Sequence, residues 1–343
     1  MQAVILAAGK STRTYPLTIT RPKPLLPIAN KPLLEHTLDS LLGVVNEVIL
    51  IVGYKKGMIQ SRFGKSYKGM RLRYVDQKEQ LGTGHALLMA KPFIKGRLIV
   101  MAGDDLYSKQ DIHACVVHKN SILVAAHEHP ERFGVIEHVH GKLINIIEKP
   151  MNFISNLINT SFYVLDPKIM DILTSLKKSE RGEFELTDAV KILAKEKTIH
   201  LVTAKQHIAI GYPWDLLNAD IALRGSKNAI GKNSTITGQA INSSIGDNCA
   251  IHGKVKNCIV MEGTAIEEGS FIENSVIGSN VRFSGKIRSK EDATSIINNK
   301  KVKAGMFGAA IGDDVVAQRV VISPGVKVWP KKNISGTISS DIP

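Results

Sequence analysis

From residue 229 onward, aliphatic side chains return every six positions: Ile230 and Ile236, Ile245 and Ile251, then Val260, Ile266 and Ile272. Ile277 and Phe283 follow, and Ile322, Val328 and Ile334 close the series. Turn-forming residues fill the gaps, as in Ile245-Gly246-Asp247-Asn248 and Ile277-Gly278-Ser279-Asn280. An α-helix repeats near 3.6 residues and a strand near 2, so neither accounts for a period of six. One inward aliphatic followed by a turn is the signature of a parallel β-helix. Residues 287–310 break the repeat and are expected as a loop extruded from one coil.

The first 225 residues keep a different rhythm. Short apolar runs at Ala3–Leu6, Val48–Val52, Arg71–Val75, Leu98–Met101, Ser121–Ala126 and Phe162–Leu165 read as buried strands. Amphipathic stretches between them, including Pro32–Leu42, Gly84–Lys91 and Leu186–Ala194, read as helices. Continuous apolar strands separated by helices imply an α/β fold with a Rossmann-like, mostly parallel sheet. The expected domains are therefore 1–225 and 226–343. Such sheets bind ligands at the carboxyl ends of their strands, so the loops that follow strands are where chemistry is sought.

Composition narrows the classes further. Hydrophobic residues make up 43% and charged residues 22%, an ordinary globular balance that excludes disorder. No apolar run reaches the roughly 20 residues of a membrane span. The opening MQAVILAAGK lacks a basic leader region and reads as a strand. Three scattered cysteines, Cys115, Cys249 and Cys258, fit a reducing cytoplasm better than a disulfide framework. The formal charge is +14, and residues 51–100 carry eleven basic against two acidic residues. Lys55, Lys56, Arg62, Lys65, Lys68, Arg71, Arg73 and Lys78 supply most of that surplus. They suit a solvated helix face or the steering of a polyanion. Aromatics do not interleave with them, so stacking on nucleic-acid bases is poorly supported.

The loop after the first strand runs Ile5-Leu6-Ala7-Ala8-Gly9-Lys10-Ser11-Thr12-Arg13 and leads to Arg21-Pro22-Lys23-Pro24-Leu25. A small-residue turn lets backbone N–H groups approach an anion. A Walker A motif would need glycine at position 4, which is Val4, so a P-loop ATPase is excluded. Arg13 lies four residues past Gly9, and the prolines flanking Lys23 would hold its ammonium in place. Two such cations can neutralise a triphosphate and stabilise charge on a transferring phosphoryl group.

These segments closely resemble the signature of sugar-1-phosphate nucleotidylyltransferases. Further matching motifs follow in order: Gln77 to Ala86, Gly103-Asp104, Phe133-Gly134, Glu148-Lys149-Pro150, Ile158-Asn159-Thr160, and Gly182 to Asp188. The C-terminal repeat resembles the left-handed β-helix that often follows this catalytic domain. The resemblance implies that a nucleoside triphosphate and a sugar 1-phosphate combine with release of pyrophosphate. It implies Ala7, Ala8, Gly9, Gln77, Gln80, Gly82 and Thr83 on the nucleotide, and Arg13 and Lys23 on its phosphates. Lys149 would bind the sugar phosphate, while Gly134, Glu148, Asn159 and Thr187 would meet the sugar. Mg²⁺ would be held by Asp104, with Asp105 a competitor, and by Asp215. For Asp215 a helix N-cap is the alternative. UTP or dTTP, and glucose or N-acetylglucosamine 1-phosphate, all stay open. His85 is expected to be structural.

Two positions depart from the pattern. Ser11 stands where the family usually has glycine, which implies a small shift of loop geometry. Some relatives use the β-helix as an acetyltransferase with a histidine where this chain has Glu268, and His252 is the only histidine among the coils. No base near neutral pH is evident there, so no acetyl transfer is expected. The β-helix is expected to build a homo-oligomer, a trimer by resemblance, or to act as a simple cap. The other function classes are a nucleotide-sugar sensor without turnover, an acyltransferase working through the β-helix, and a nucleic-acid binder.

Overall fold

Runs such as Val48-Ile49-Leu50-Ile51-Val52 carry too many β-branched residues for a sheet with one wet face. In the computed structural model, which describes residues 1–343, these five are buried within the strand Glu47–Val52. Burying each such side chain is worth about 1.5–3 kcal/mol. The chain divides into two units, one of Met1–Gly9 with Leu34–Ala209, the other of Lys10–Leu33 with Ile210–Pro343.

The first unit is built on a ten-stranded sheet. Gln2–Ala7 lies between Leu98–Ala102 and Glu47–Val52, and Met70–Asp76 follows, all parallel. Leu157–Leu165 runs antiparallel on the far side of Leu98–Ala102, with Phe162 opposite Met101. Ser121–Ala126, His200–Thr203, the hairpin Gly134–Val139/Lys142–Glu148 and the short edge strand Ser66–Tyr67 beside Met70–Asp76 complete the sheet. Helices Thr83–Leu88, Ile169–Ser175 and Leu186–Glu196 pack as a layer whose Leu87, Leu173, Val190 and Leu193 meet Val4, Ile51, Val100 and Val124. The expected strands and helices fall where the sequence puts them, within a few residues at each end. Lys56–Phe63 and Lys109–Val116 are two helices that apolar periodicity did not single out.

In the second unit, Ala229–Ile230, Ser244–Ile245, Ile259–Val260, Val276–Ile277, Ala310–Ile311 and Lys327–Val328 stack in parallel as one face of a β-helix. The six-residue step holds between the first two faces, from Ile245 to Ile251 and from Val260 to Ile266. In two coils the third face arrives sooner, with Val255 four residues after Ile251 and Ile287 four after Phe283, whereas Ile272 keeps the six-residue step from Ile266. Ile230, Ile245 and Val260 fall into register as neighbours on the first face. The period of six therefore overlooks the inward Val255, Ile287 and Ile311. Ile230 begins the series and is 44% exposed. Asn233, Asn242, Asn248, Asn257, Asn274 and Asn280 all take left-handed backbone at the turns, a conformation asparagine tolerates better than most residues. Residues 287–310 are not an irregular loop. Lys290–Ile297 and Lys300–Phe307 form an antiparallel hairpin closed by Asn298-Asn299, both at positive φ, as a tight hairpin turn requires.

Candidate active site

Three parallel strands of the first unit end at the same side of the sheet. Gln2–Ala7 delivers Ala8 and Gly9, Met70–Asp76 delivers Gln77, and Leu98–Ala102 delivers Gly103 and Asp104. The Ala8 carbonyl accepts from Tyr54 N–H at 3.1 Å and from Gln80 Nε2 at 2.9 Å. Gln77 is buried and its Nε2 lies 3.3 Å from the Gly82 carbonyl and 3.1 Å from His85 Nδ1. His85 thus steadies an amide. Gly82 has φ +112°, and a Cβ there would come within 2.6 Å of the Phe184 carbonyl, so only glycine fits. The Thr83 hydroxyl accepts the Leu186 N–H at 3.0 Å, which commits it to opening the helix Leu186–Glu196. Asp105 Oδ2 lies 3.4 Å from His207 Nε2.

Because Leu157–Leu165 is antiparallel to Leu98–Ala102, its start brings Asn159 to the edge where Asp104 lies. Gly134 pairs with Glu148 across the hairpin, and a Cβ on Gly134 would be 3.0 Å from Glu148 Oε2 and 3.6 Å from Asn159 Cβ. Gly134, Glu148 and Asn159 therefore form one cluster. The Asn159 amide donates to the Tyr163 hydroxyl at 2.6 Å and its oxygen accepts Ser161 N–H at 2.8 Å. Lys149 follows with φ +48°, exposed, its N–H bonded to the Phe133 carbonyl at 2.9 Å. Thr187 is buried in the first turn of Leu186–Glu196.

Sequence reading missed Arg181 and underused Glu185. Arg181 Nη1 lies 3.5 Å from Glu148 and 3.1 Å from Glu185. Burial pushes the Glu185 carboxyl up, against the pull of Arg181, and Glu148 adds to the rise. Glu185 lies inside the Gly182 to Asp188 motif and Arg181 one residue before it, so charge adjacent to that motif was the available signal.

The second unit carries Arg13, Lys23 and Asp215. Ser11 sits at φ 52°, and its carbonyl gathers Thr14 N–H at 3.1 Å, the Thr14 hydroxyl at 2.7 Å and the Thr18 hydroxyl at 2.9 Å. This left-handed position is where glycine is easiest, and serine costs about 1–2 kcal/mol there. The Arg13 guanidinium lies 5.6 Å from the centre of the Tyr212 ring. Lys23 is 2% exposed and its Nζ donates to the Ile210 carbonyl. Asp215 is the third residue of helix Pro213–Arg224, and its Oδ2 accepts the N–H groups of Gly211 and Tyr212, each at 2.8 Å. One of its oxygens is thus committed to starting the helix. No group of three or more His, Cys, Asp or Glu is arranged to hold a metal.

The profile of the nucleotidyl transferase family matches residues 2–222. The chain belongs to that family. A profile described as the GMPPB C-terminal domain matches residues 222–342. "Bifunctional protein GlmU" of Methanococcus vannielii is 36% identical, over 96% of this chain and 92% of its own length. "UTP--glucose-1-phosphate uridylyltransferase AglF" of Haloferax volcanii is 33% identical, over 65% of this chain and 97% of its own. Among solved structures, a putative glucose-1-phosphate thymidylyltransferase from Bacillus anthracis is 28% identical with a TM-score of 0.61, covering 68% of this chain and 98% of that one. The Cys115 and Cys258 thiols are buried and pushed up to about 12. No helix is long and apolar enough to cross a membrane.

Proposed function

We propose that this nucleotidyltransferase joins UTP or dTTP to a sugar 1-phosphate, glucose or N-acetylglucosamine 1-phosphate, releasing pyrophosphate. The convergence of Ala8-Gly9, Gln77, Asp104 and Asn159 on one sheet edge carries the reading. A sugar-phosphate oxygen attacks the α-phosphorus in line, and catalysis is positioning plus charge neutralisation. Arg13 and Lys23 hold the triphosphate and the departing pyrophosphate, and Lys149 holds the attacking phosphate. Gln77 and Gln80 each engage an amide nitrogen with protein groups, and their oxygens suit the N–H that uracil and thymine both present. Gly134 leaves room for the sugar beside Glu148 and Asn159, and Thr187 is the fourth residue that would meet it.

Asp104 and Asp215 would hold Mg²⁺, which supplies charge neutralisation to the phosphates when bound. Mg²⁺ keeps waters and substrate phosphates as ligands and needs only one or two carboxylates, so this sparse donor set fits it. Asp215 would contribute a carboxylate oxygen. Asp104, which directly follows Leu98–Ala102 and Gly103, would be the strand-end ligand.

The β-helix acts without acetyl transfer. Glu268 stands where acetyltransferase relatives place their histidine, and His252 Nδ1 is 2.7 Å from the Thr237 hydroxyl. The domain instead assembles a homo-oligomer, a trimer. Neither nucleic acid nor membrane is a partner, and three unpaired thiols suit the cytoplasm. Pyrophosphate release across a panel of nucleotides and sugar 1-phosphates tests the activity. Turnover of one pair, lost by about 10²-fold or more in Asp104→Asn, is expected; inertness toward every pair overturns it, and acetyl-CoA turnover would overturn the claim on the β-helix.

A further inference from the structure

We propose that Arg21 and Asp313 form a positioning pair through which the β-helix sets the geometry of the phosphate-binding segment. This rests on the reading that Lys23 and Arg13 hold the triphosphate.

The segment Lys10–Leu33 belongs to the same unit as the coils. Its Thr20 hydroxyl donates to Asp313 Oδ2 at 2.6 Å, and Arg21 Nη2 donates to the same oxygen at 2.8 Å. Arg21 also reaches the Ser279 hydroxyl at 2.5 Å and Glu262 at 3.3 Å. Asp313 is itself oriented, because its Oδ1 accepts the Ser279 N–H at 2.8 Å. That oxygen lies where a Cβ on Gly278 would be, only 2.6 Å away, so glycine at 278 makes the room.

The arrangement is expensive, which argues for a purpose beyond stability. The Arg21 and Asp313 side chains are 13% and 7% exposed. Arg21 Nε is buried with no hydrogen-bond partner. A buried ion pair seldom stabilises a fold beyond what apolar packing would give, and its best-attested use is to fix register. Here it fixes Thr20-Arg21 against the coil turn that contains Asp313. Pro22 and Pro24 stiffen the chain that follows, and Lys23–Leu25 form a short 3₁₀ turn. A second anchor lies beyond Lys23. Ala29 N–H donates to Asp220 at 2.8 Å, and the Asn30 amide donates to the carbonyls of Ala229 and Ile245 at 3.0 and 2.7 Å. Lys23 is thus suspended between two attachments, and the earlier one centres on a carboxylate 292 residues away in sequence, which Thr20 and Arg21 share. Neither Arg21 nor Asp313 is assigned a contact with substrate.

The full-length chain tests this by steady-state pyrophosphate release, with nucleotide and sugar phosphate varied separately. Asp313→Asn and Arg21→Gln break the pair from opposite sides, so one can be read if the other folds poorly. Each is expected to raise the nucleotide KM by about two- to thirtyfold, the range over which remote couplings act. The sugar-phosphate KM should stay within about twofold. The double variant should be no worse than the poorer single, because both remove one interaction. Ile272→Val, in the β-helix core, should lower Tm and leave the nucleotide KM alone. The inference is overturned by an unchanged nucleotide KM in both singles, by additive effects, or by an equal shift in Ile272→Val. If the unaltered chain releases no pyrophosphate, the proposed activity fails instead. Calorimetric nucleotide affinity then decides the positioning role, with the same weakening expected in Asp313→Asn and an unchanged Kd overturning it.

Discussion

Two basic regions of the molecule look alike in composition and differ in how the fold treats them. Between residues 55 and 78 the cations lie largely at the surface, and carboxylates on neighbouring elements already answer several of them. Arg62 is 3.5 Å from Glu35, Lys68 2.8 Å from Asp39, and Arg73 3.2 Å from Glu47, while Lys56 meets Asp76. Within Lys10–Leu33 the cations are fewer, and Lys23 and Arg21 are largely withdrawn from water. A charge in water is screened within about 10 Å, whereas a buried one acts at nearly full strength on whatever reaches it. The number of charges locates a field; the cost of holding a charge locates the chemistry.

Replacing Lys23 with methionine, which keeps the length and removes the charge, tests the buried side of this contrast and carries the largest expected effect. Loss of one preorganised cation on a developing oxyanion is expected to reduce kcat/KM by about 10²–10³-fold. Pyrophosphate release at saturating sugar phosphate measures it. A loss below about tenfold would place Lys23 with the surface cations and erase the distinction.

A buried anion offers a second, smaller test, read through pH. Glu185 is nearly buried beside Glu148 and Arg181, and burial raises its carboxyl above the usual range. A carboxyl raised on folding favours the folded state below its unfolded value. That contribution is lost as pH rises through the folded value. Glu185→Gln is therefore expected to raise the melting temperature at pH 7. The gain should vanish on acidification below the ordinary carboxylate range. Thermal melts of both proteins from pH 3 to 8 measure it, and a difference independent of pH would show that the charge of Glu185 costs the fold nothing.

Much of this was legible beforehand, for identifiable reasons. Buried strands are recorded as apolar runs, so Gln2–Ala7, Glu47–Val52 and Leu98–Ala102 were found nearly to the residue, with the loops that follow them. The repeat revealed the β-helix because each coil buries one aliphatic per face. It misjudged the third face because a turn can be shortened without changing the residue types that fill it. The hairpin Lys290–Ile297/Lys300–Phe307 was hidden because most of its side chains are wet and lack strict alternation. The ion pair of Arg21 with Asp313 and the contact of Arg181 with Glu148 could not be read at all. They are made by folding, between residues with no spacing to mark them. Asp215 shows the converse: its position suggests an N-cap, but the N-cap is Tyr212, and Asp215 lies three residues into the helix, where its Oδ2 accepts the Tyr212 N–H and closes a capping box.

The smallest expected effect comes from neutralising the surface region, with Arg62→Gln, Lys65→Gln and Lys68→Gln combined. If these residues act only through a long-range field, kcat/KM should change by less than about twofold at 0.15 M salt, where the Debye length is about 8 Å. At 0.01 M salt the unaltered protein should gain more in kcat/KM than the triple variant, because steering of a polyanion returns as screening falls. Lys23→Met should show no such rescue by salt, since its loss is felt at contact distance. Turnover across a salt series therefore separates the two regions by mechanism as well as by size. A tenfold loss in the triple variant at physiological salt would mean that the exposed cations touch substrate, and that burial is the wrong guide to where this enzyme neutralises charge.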